Sequence, residues 1–135
     1  MAYSADVAAG DQATAAQYNA LRDDALIFVE LAGGDNHACG ASTTWTDWDV
    51  SALVPAGAVA VEVTAKHNAV AVVTFGARKN GSALARNGWA MGNSGVAESV
   101  SFTTECDANR VIELYSSTDG RVNYNITGYW IGVGI

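Results

Sequence analysis

The chain has 135 residues, enough for one domain that buries roughly two-thirds of the surface its unfolded form exposes. Charged residues are only 16% of it, with Lys66 and Lys79 the only lysines, so part of the surface is expected to be covered by other protein. A formal net charge of −7 argues against nucleic acid, whose phosphates need clustered Lys and Arg, and no run approaches the roughly 18 apolar residues of a membrane-spanning helix.

The charge is uneven. Residues 1–36 carry Asp6, Asp11, Asp23, Asp24, Glu30 and Asp35 against Arg22 alone. Residues 1–13 show no periodicity and read as an extended arm; "MAYSADVAAG" lacks the basic and apolar segments of a signal peptide. Thr14 then offers an N-cap oxygen, with Gln17 three residues later, the pattern of a capping box. Good helix formers follow, and Gly33-Gly34 supplies a stop, so the spacing predicts a helix over 15–32. Its apolar positions Tyr18, Leu21, Ala25, Phe28 and Ala32 recur at steps of three and four. That seam suits a helix packed on its own domain or a short bundle around an oligomer axis.

From Trp45 onward the period becomes two. "AVAVEVTAKH" (58–67), "VAVVTFGAR" (70–78), "SVSFTTE" (99–105), "RVIELYS" (110–116) and "RVNYNITGYWIGVGI" (121–135) read as strands. Pro55 in "VPAGA" marks a turn, Asn80-Gly81 suits a type I′ hairpin, and "STDG" (117–120) reads as a second hairpin. "NGWAMGNSGVAES" (87–99) reads as a long irregular loop. The expected fold is mainly β: an antiparallel β-sandwich, jelly-roll-like, preceded by an N-terminal arm and one α-helix. The organisation is 1–36 for arm and helix and 37–135 for the sandwich.

Catalytic chemistry finds little to work with. His37, near Asp35 and Cys39, has no second cluster to complete a metal site and reads as an incidental linker histidine. His67, at a strand end, is expected to face solvent or a loop. "FGARKNGS" (75–82) carries Arg78 and Lys79 but lacks the glycine spacing and following helix of a phosphate loop. Cys39 and Cys106 are too few for a disulfide framework and are expected to be free thiols. No cofactor or metal is expected. Trp45, Trp48 and Trp130 read as caps on the sandwich core. Trp89, on the glycine-rich loop, is the best candidate for an external contact, with Arg78 and Lys79 beside it in interest.

"AGDQATAAQYNALRDDA" resembles the N-terminal attachment motif of tailed-bacteriophage virion proteins, matching at Gly10, Asp11, Thr14, Ala15, Tyr18, Asn19, Leu21 and Arg22. "TWTDWDVSALVPAGAVAVEV" and "FGARKNGS" are similar to a small β-sandwich of phage fibres and capsid appendages. The resemblance implies a non-enzymatic virion protein, assembled in the host cytoplasm and usually homotrimeric. With one arm, one helix and one sandwich, a capsid decoration (cement) or head-fibre protein on the major capsid protein fits better than a complete tail fibre. A tail-tip protein contacting host-surface glycans through Trp89 is the alternative. Thr14, Gln17, Tyr18, Leu21, Arg22, Ala25 and Phe28 then form the attachment and oligomer helix.

Overall fold

A computed structural model describes residues 25–32, 37–39, 43–67, 72–86, 98–118 and 121–132, and the backbone of 89–91. The strands are β1 (Leu26–Glu30), β2 (His37–Ala38), β3 (Thr46–Asp49), β4 (Ala58–His67), β5 (Val73–Lys79), β6 (Trp89–Met91), β7 (Glu98–Glu105), β8 (Val111–Ser116) and β9 (Val122–Gly132). They form two antiparallel sheets, one ordered β1-β9-β4-β7 and the other β3-β8-β5-β6. The two-residue β2 pairs with β9 through His37–Tyr124 and Ala38–Asn123, beyond the stretch that β1 occupies. The expected mainly β, antiparallel two-sheet architecture is the one observed.

Alternation sets the inner faces. In β4, Val61, Val63 and Ala65 point inward; in β9, Val122, Tyr124 and Ile126 do the same. The second sheet answers with Phe75, Ala77, Ile112 and Leu114, so one core lies between the sheets. Tyr124 bolts them together. Its ring is fully buried, and its hydroxyl donates to the Tyr115 carbonyl at 2.6 Å, with the Gly76 carbonyl at 3.4 Å, both in the opposite sheet. Burial pushes this hydroxyl far above the ordinary tyrosine range, which keeps it a donor.

Two bulges re-aim side chains. Glu62 pairs with Gly128 while Val63 pairs with Ile126, so Thr127 is an extra residue on β9. Beyond it the alternation flips. Tyr129, opposite buried Val61, packs on the core, and Trp130 points outward. A second shift makes Val59 the extra residue on β4 and leaves it 38% exposed.

The turn joining the sheets between β7 and β8 is tied by one carboxylate. Asp107 accepts from the Val111 N–H at 2.8 Å, the Asn109 N–H at 2.9 Å and Asn80 Nδ2 at 3.0 Å. The backbone bond from Val111, foremost, holds its carboxyl below the usual range.

Several expectations need correction. Residues 26–30 are strand β1, not the end of a helix; the rest of the predicted helix, 15–24, lies outside the described residues. The run Ile27-Phe28-Val29 is rich in β-branched and aromatic side chains, and pairing with β9 overrides the three-four spacing. "STDG" is no hairpin, because β8 and β9 belong to different sheets. Asn80-Gly81 forms a turn closed by Ser82 N–H to Lys79 C=O at 3.0 Å, but only Gly81 has positive φ (+75°), so the turn is not type I′. The predicted loop 87–99 contains strand β6 and the first residues of β7. His67 is 2% exposed, and neither ring nitrogen has a hydrogen-bond partner. Its neighbour across the ladder is Glu98, whose buried Oε2 also has none. Both cysteines are buried and neither is in a disulfide, as expected.

Candidate interaction surface

Among the described residues, the most exposed apolar strand is β1. It lies at the edge of its sheet, and Leu26, Ile27 and Phe28 are 44%, 46% and 43% exposed. Edge strands of soluble domains are usually guarded by charge, proline or a bulge. Here Glu30 is the only charge on the strand. Leu26 and Phe28 lie opposite Gly132 and Trp130, on the outward face that the Thr127 bulge gives to Trp130. The Phe28 and Trp130 rings meet at 5.3 Å between centroids, tilted by 52°. Phe28 lies over Gly128, where a Cβ would collide with its ring and sit 2.8 Å from the Val29 carbonyl oxygen. The indole Nε1 of Trp130 is buried and has no hydrogen-bond partner.

Beside this patch opens a cleft of about 680 Å³, walled by Leu26, Val59, Ala60, Ala108 and Trp130. Lys79 and Glu105 stand on its rim, their head groups 3.8 Å apart and well exposed. A smaller hollow of about 290 Å³ adjoins it past Lys79 and includes Arg86. Cys106 also borders the cleft, but its thiol donates to the Ala58 carbonyl at 3.3 Å, and burial raises its pKa. A thiol held protonated in this way is a poor nucleophile. The surface is therefore equipped for apolar contact with a charged rim.

The sequence-predicted residues are distributed as follows. Thr14, Gln17, Tyr18, Leu21 and Arg22 lie outside the described residues. Ala25 is exposed immediately before β1, and Phe28 belongs to the patch. Lys79 is on the cleft rim. Trp89 lies in β6 opposite Phe75 rather than in a loop. Arg78 is no free external contact. Its Nε bonds Glu113 Oε2 at 2.6 Å, its guanidinium lies 4.1 Å from the Trp45 ring centroid, and Nη1 donates to the Leu84 carbonyl at 3.2 Å. Arg78→Ala is expected to cost about 2 kcal/mol of unfolding free energy, because it strands a largely buried Glu113 carboxylate. Arg78→Lys keeps the charge but loses the planar stacking, and falls in between. Urea unfolding measures both; a loss below about 0.5 kcal/mol for the alanine variant would be an ordinary surface effect and refute this role.

Sequence reasoning missed Leu26 as a strand residue and Trp130 as an outward one. The β-branched run was a readable signal for the first. The second depends on a bulge that spacing alone does not reveal. Among the described residues, no group of three or more His, Cys, Asp or Glu is arranged to hold a metal ion, and no helix is long and apolar enough to cross a membrane.

No family model and no curated protein sequence matches the chain. Solved structures show likenesses. The Tobacco streak virus coat protein aligns over 80% of this chain and 85% of its own, at 13% identity and a TM-score of 0.39. A structure of the Tobacco streak virus coat protein dimer aligns over 79% of this chain and 82% of its own, at 12% identity and a TM-score of 0.33.

Proposed function

We propose that this protein is a non-enzymatic structural component of a virus particle, of the capsid-decoration or head-fibre kind, bound to the shell as a homotrimer. The observation that carries the reading is the unguarded apolar edge strand β1, which directly follows the segment resembling a phage attachment motif. A sheet edge exposing Leu26, Ile27 and Phe28 in succession is built to be covered by protein. The strand order supports it. Eight strands divided as β1-β9-β4-β7 and β3-β8-β5-β6 give the double Greek-key wrap of a jelly roll, an architecture that serves viral capsids among other roles. The acidic segment 1–24 supplies the attachment, by charge complementarity to a basic patch on the major capsid protein.

The test mixes purified protein with shells that lack it and measures co-sedimentation and mass. Three copies per complex in solution and saturable shell binding are expected. Replacing Asp11, Asp23 and Asp24 by Asn in the full chain is expected to weaken shell binding by about tenfold, more at low salt than at high. A folded monomer in solution would refute the trimer. Selective binding on a glycan array without shell binding would favour the tail-tip role instead.

A further inference from the structure

We infer that the free edge of β1 pairs with β1 of a second copy of this chain, antiparallel and around a two-fold axis at Phe28. This names what covers the edge and rests on the reading that β1 needs a protein cover; it requires no particle.

The first reason is the main chain. The Leu31 N–H donates to the Thr127 carbonyl at 2.9 Å, so these two residues are a hydrogen-bonded pair of the β1–β9 ladder. Such pairs alternate along an antiparallel ladder. Val29 and Ile27 therefore also direct their N–H and C=O groups at β9, and Leu26, Phe28 and Glu30 aim theirs away from it. Among the described residues, no strand lies on that side. Two copies can join only where outward-aimed residues oppose outward-aimed residues. Setting Phe28 against Phe28 places Leu26 of each copy against Glu30 of the other and uses all three. A shift by two residues either way leaves one of the three unmatched within the strand.

The second reason is charge. Glu30 is the only charge on β1. Pairing centred on Glu30 would set two carboxylates face to face, which is destabilising. In the register centred on Phe28, each Glu30 stands opposite Leu26, and the two carboxylates are about 14 Å apart along the strands. The register that satisfies the most main chain is thus one that keeps like charges apart.

The third reason is that both faces of β1 are apolar. On the outward face Phe28 already meets Trp130 at 5.3 Å between ring centroids. Pairing extends this contact into a row of four rings, Trp130 and Phe28 of one copy followed by Phe28 and Trp130 of the other. On the opposite face Ile27, 46% exposed, comes against Val29 of the other copy at the closer, non-hydrogen-bonded spacing. With five strand residues a side, against the roughly 20–30 of a standard interface, the contact is weak and concentration-dependent. A two-fold contact cannot close a trimer, so the three-fold contacts proposed above use another surface.

The test uses full chains with one added cysteine each, under mild oxidation; the two native cysteines are buried. Directly opposed residues have Cα atoms about 5.5 Å apart, within reach of a disulfide. An equimolar mixture of Leu26→Cys and Glu30→Cys chains is expected to link unlike chains at least about tenfold faster than either variant links to itself, because like positions are about 14 Å apart. Sedimentation gives a second readout. Leu26→Glu, which faces Glu30 of the other copy, is expected to weaken self-association at least about tenfold, and adding Glu30→Lys to restore it. Links between like chains as fast as between unlike ones, or no rise in mass up to about 1 mM, would overturn the inference. So would slow amide exchange at Phe28 and Glu30 in dilute protein, which would show that the chain covers its own edge. A trimer built through β1 would join it to a different surface and give no Leu26–Glu30 link, overturning the inference while leaving the trimer. None of these readouts involves the particle, so failure here and failure of shell binding are separate results.

Discussion

Replacing Tyr124 with alanine is expected to lower the unfolding free energy by about 4 kcal/mol, among the largest effects of any single change in the described fold. The residue fills the centre of the core and is fully buried. Removing the ring leaves a cavity between two sheets whose backbones are fixed by their own ladders, so the site cannot collapse to fill it. Tyr124→Phe separates packing from hydrogen bonding. It keeps the ring and deletes the donor to the Tyr115 carbonyl at 2.6 Å, and is expected to cost about 1–2 kcal/mol. Urea unfolding with both variants resolves the two contributions. If phenylalanine is neutral, the hydroxyl does not hold the sheets together.

The second large effect is at Gly128. A Cβ there overlaps the Phe28 ring and sits 2.8 Å from the Val29 carbonyl oxygen. The ring is partly exposed and can swing aside, but the carbonyl belongs to β1. Gly128→Ala is therefore expected to push β1 off β9, at about 2–3 kcal/mol. Amide exchange over 26–30 should accelerate while that of β4 and β8 stays slow. Adding Phe28→Ala relieves the ring overlap and not the backbone contact, so the double variant recovers only part of the loss. Unchanged exchange in β1 would show that the strand tolerates the side chain.

These two sites also show what is legible in a sequence and what is not. Strands β4, β5, β7, β8 and β9 announce themselves by alternating apolar residues, because one face of each meets the core. β1 does not. Leu26 and Phe28 face outward while Ile27 and Val29 face the other way, so both sides carry apolar residues and the alternation vanishes. The remaining three-four spacing then mimics a helix. Turn residues mark where the chain bends without saying where it goes next: "STDG" lies at a real bend, yet the chain passes to the other sheet. Phe28 lies on the exposed apolar patch, but as a residue of strand β1 and not of the helix to which its spacing assigned it. Trp130 was not legible as an outward residue, because its orientation is set by an inserted Thr127, which is a property of pairing and not of local sequence. Arg78 looked available because sequence does not show that Glu113 and Trp45 converge on it from two other segments.

The central place of β9 has a kinetic consequence. It is the last described strand, and it lies between β1 and β4 while also holding β2. A nascent chain therefore carries β1 and β2 without their partner until residues 122–132 have left the ribosome. Until then a strand rich in exposed leucine, isoleucine and phenylalanine waits unpaired, so the first sheet closes only once β9 is made, and slowly, as its long-range pairings require. The window of vulnerability to misassociation is set by the time taken to synthesise the roughly ninety intervening residues, several seconds at ordinary rates of elongation.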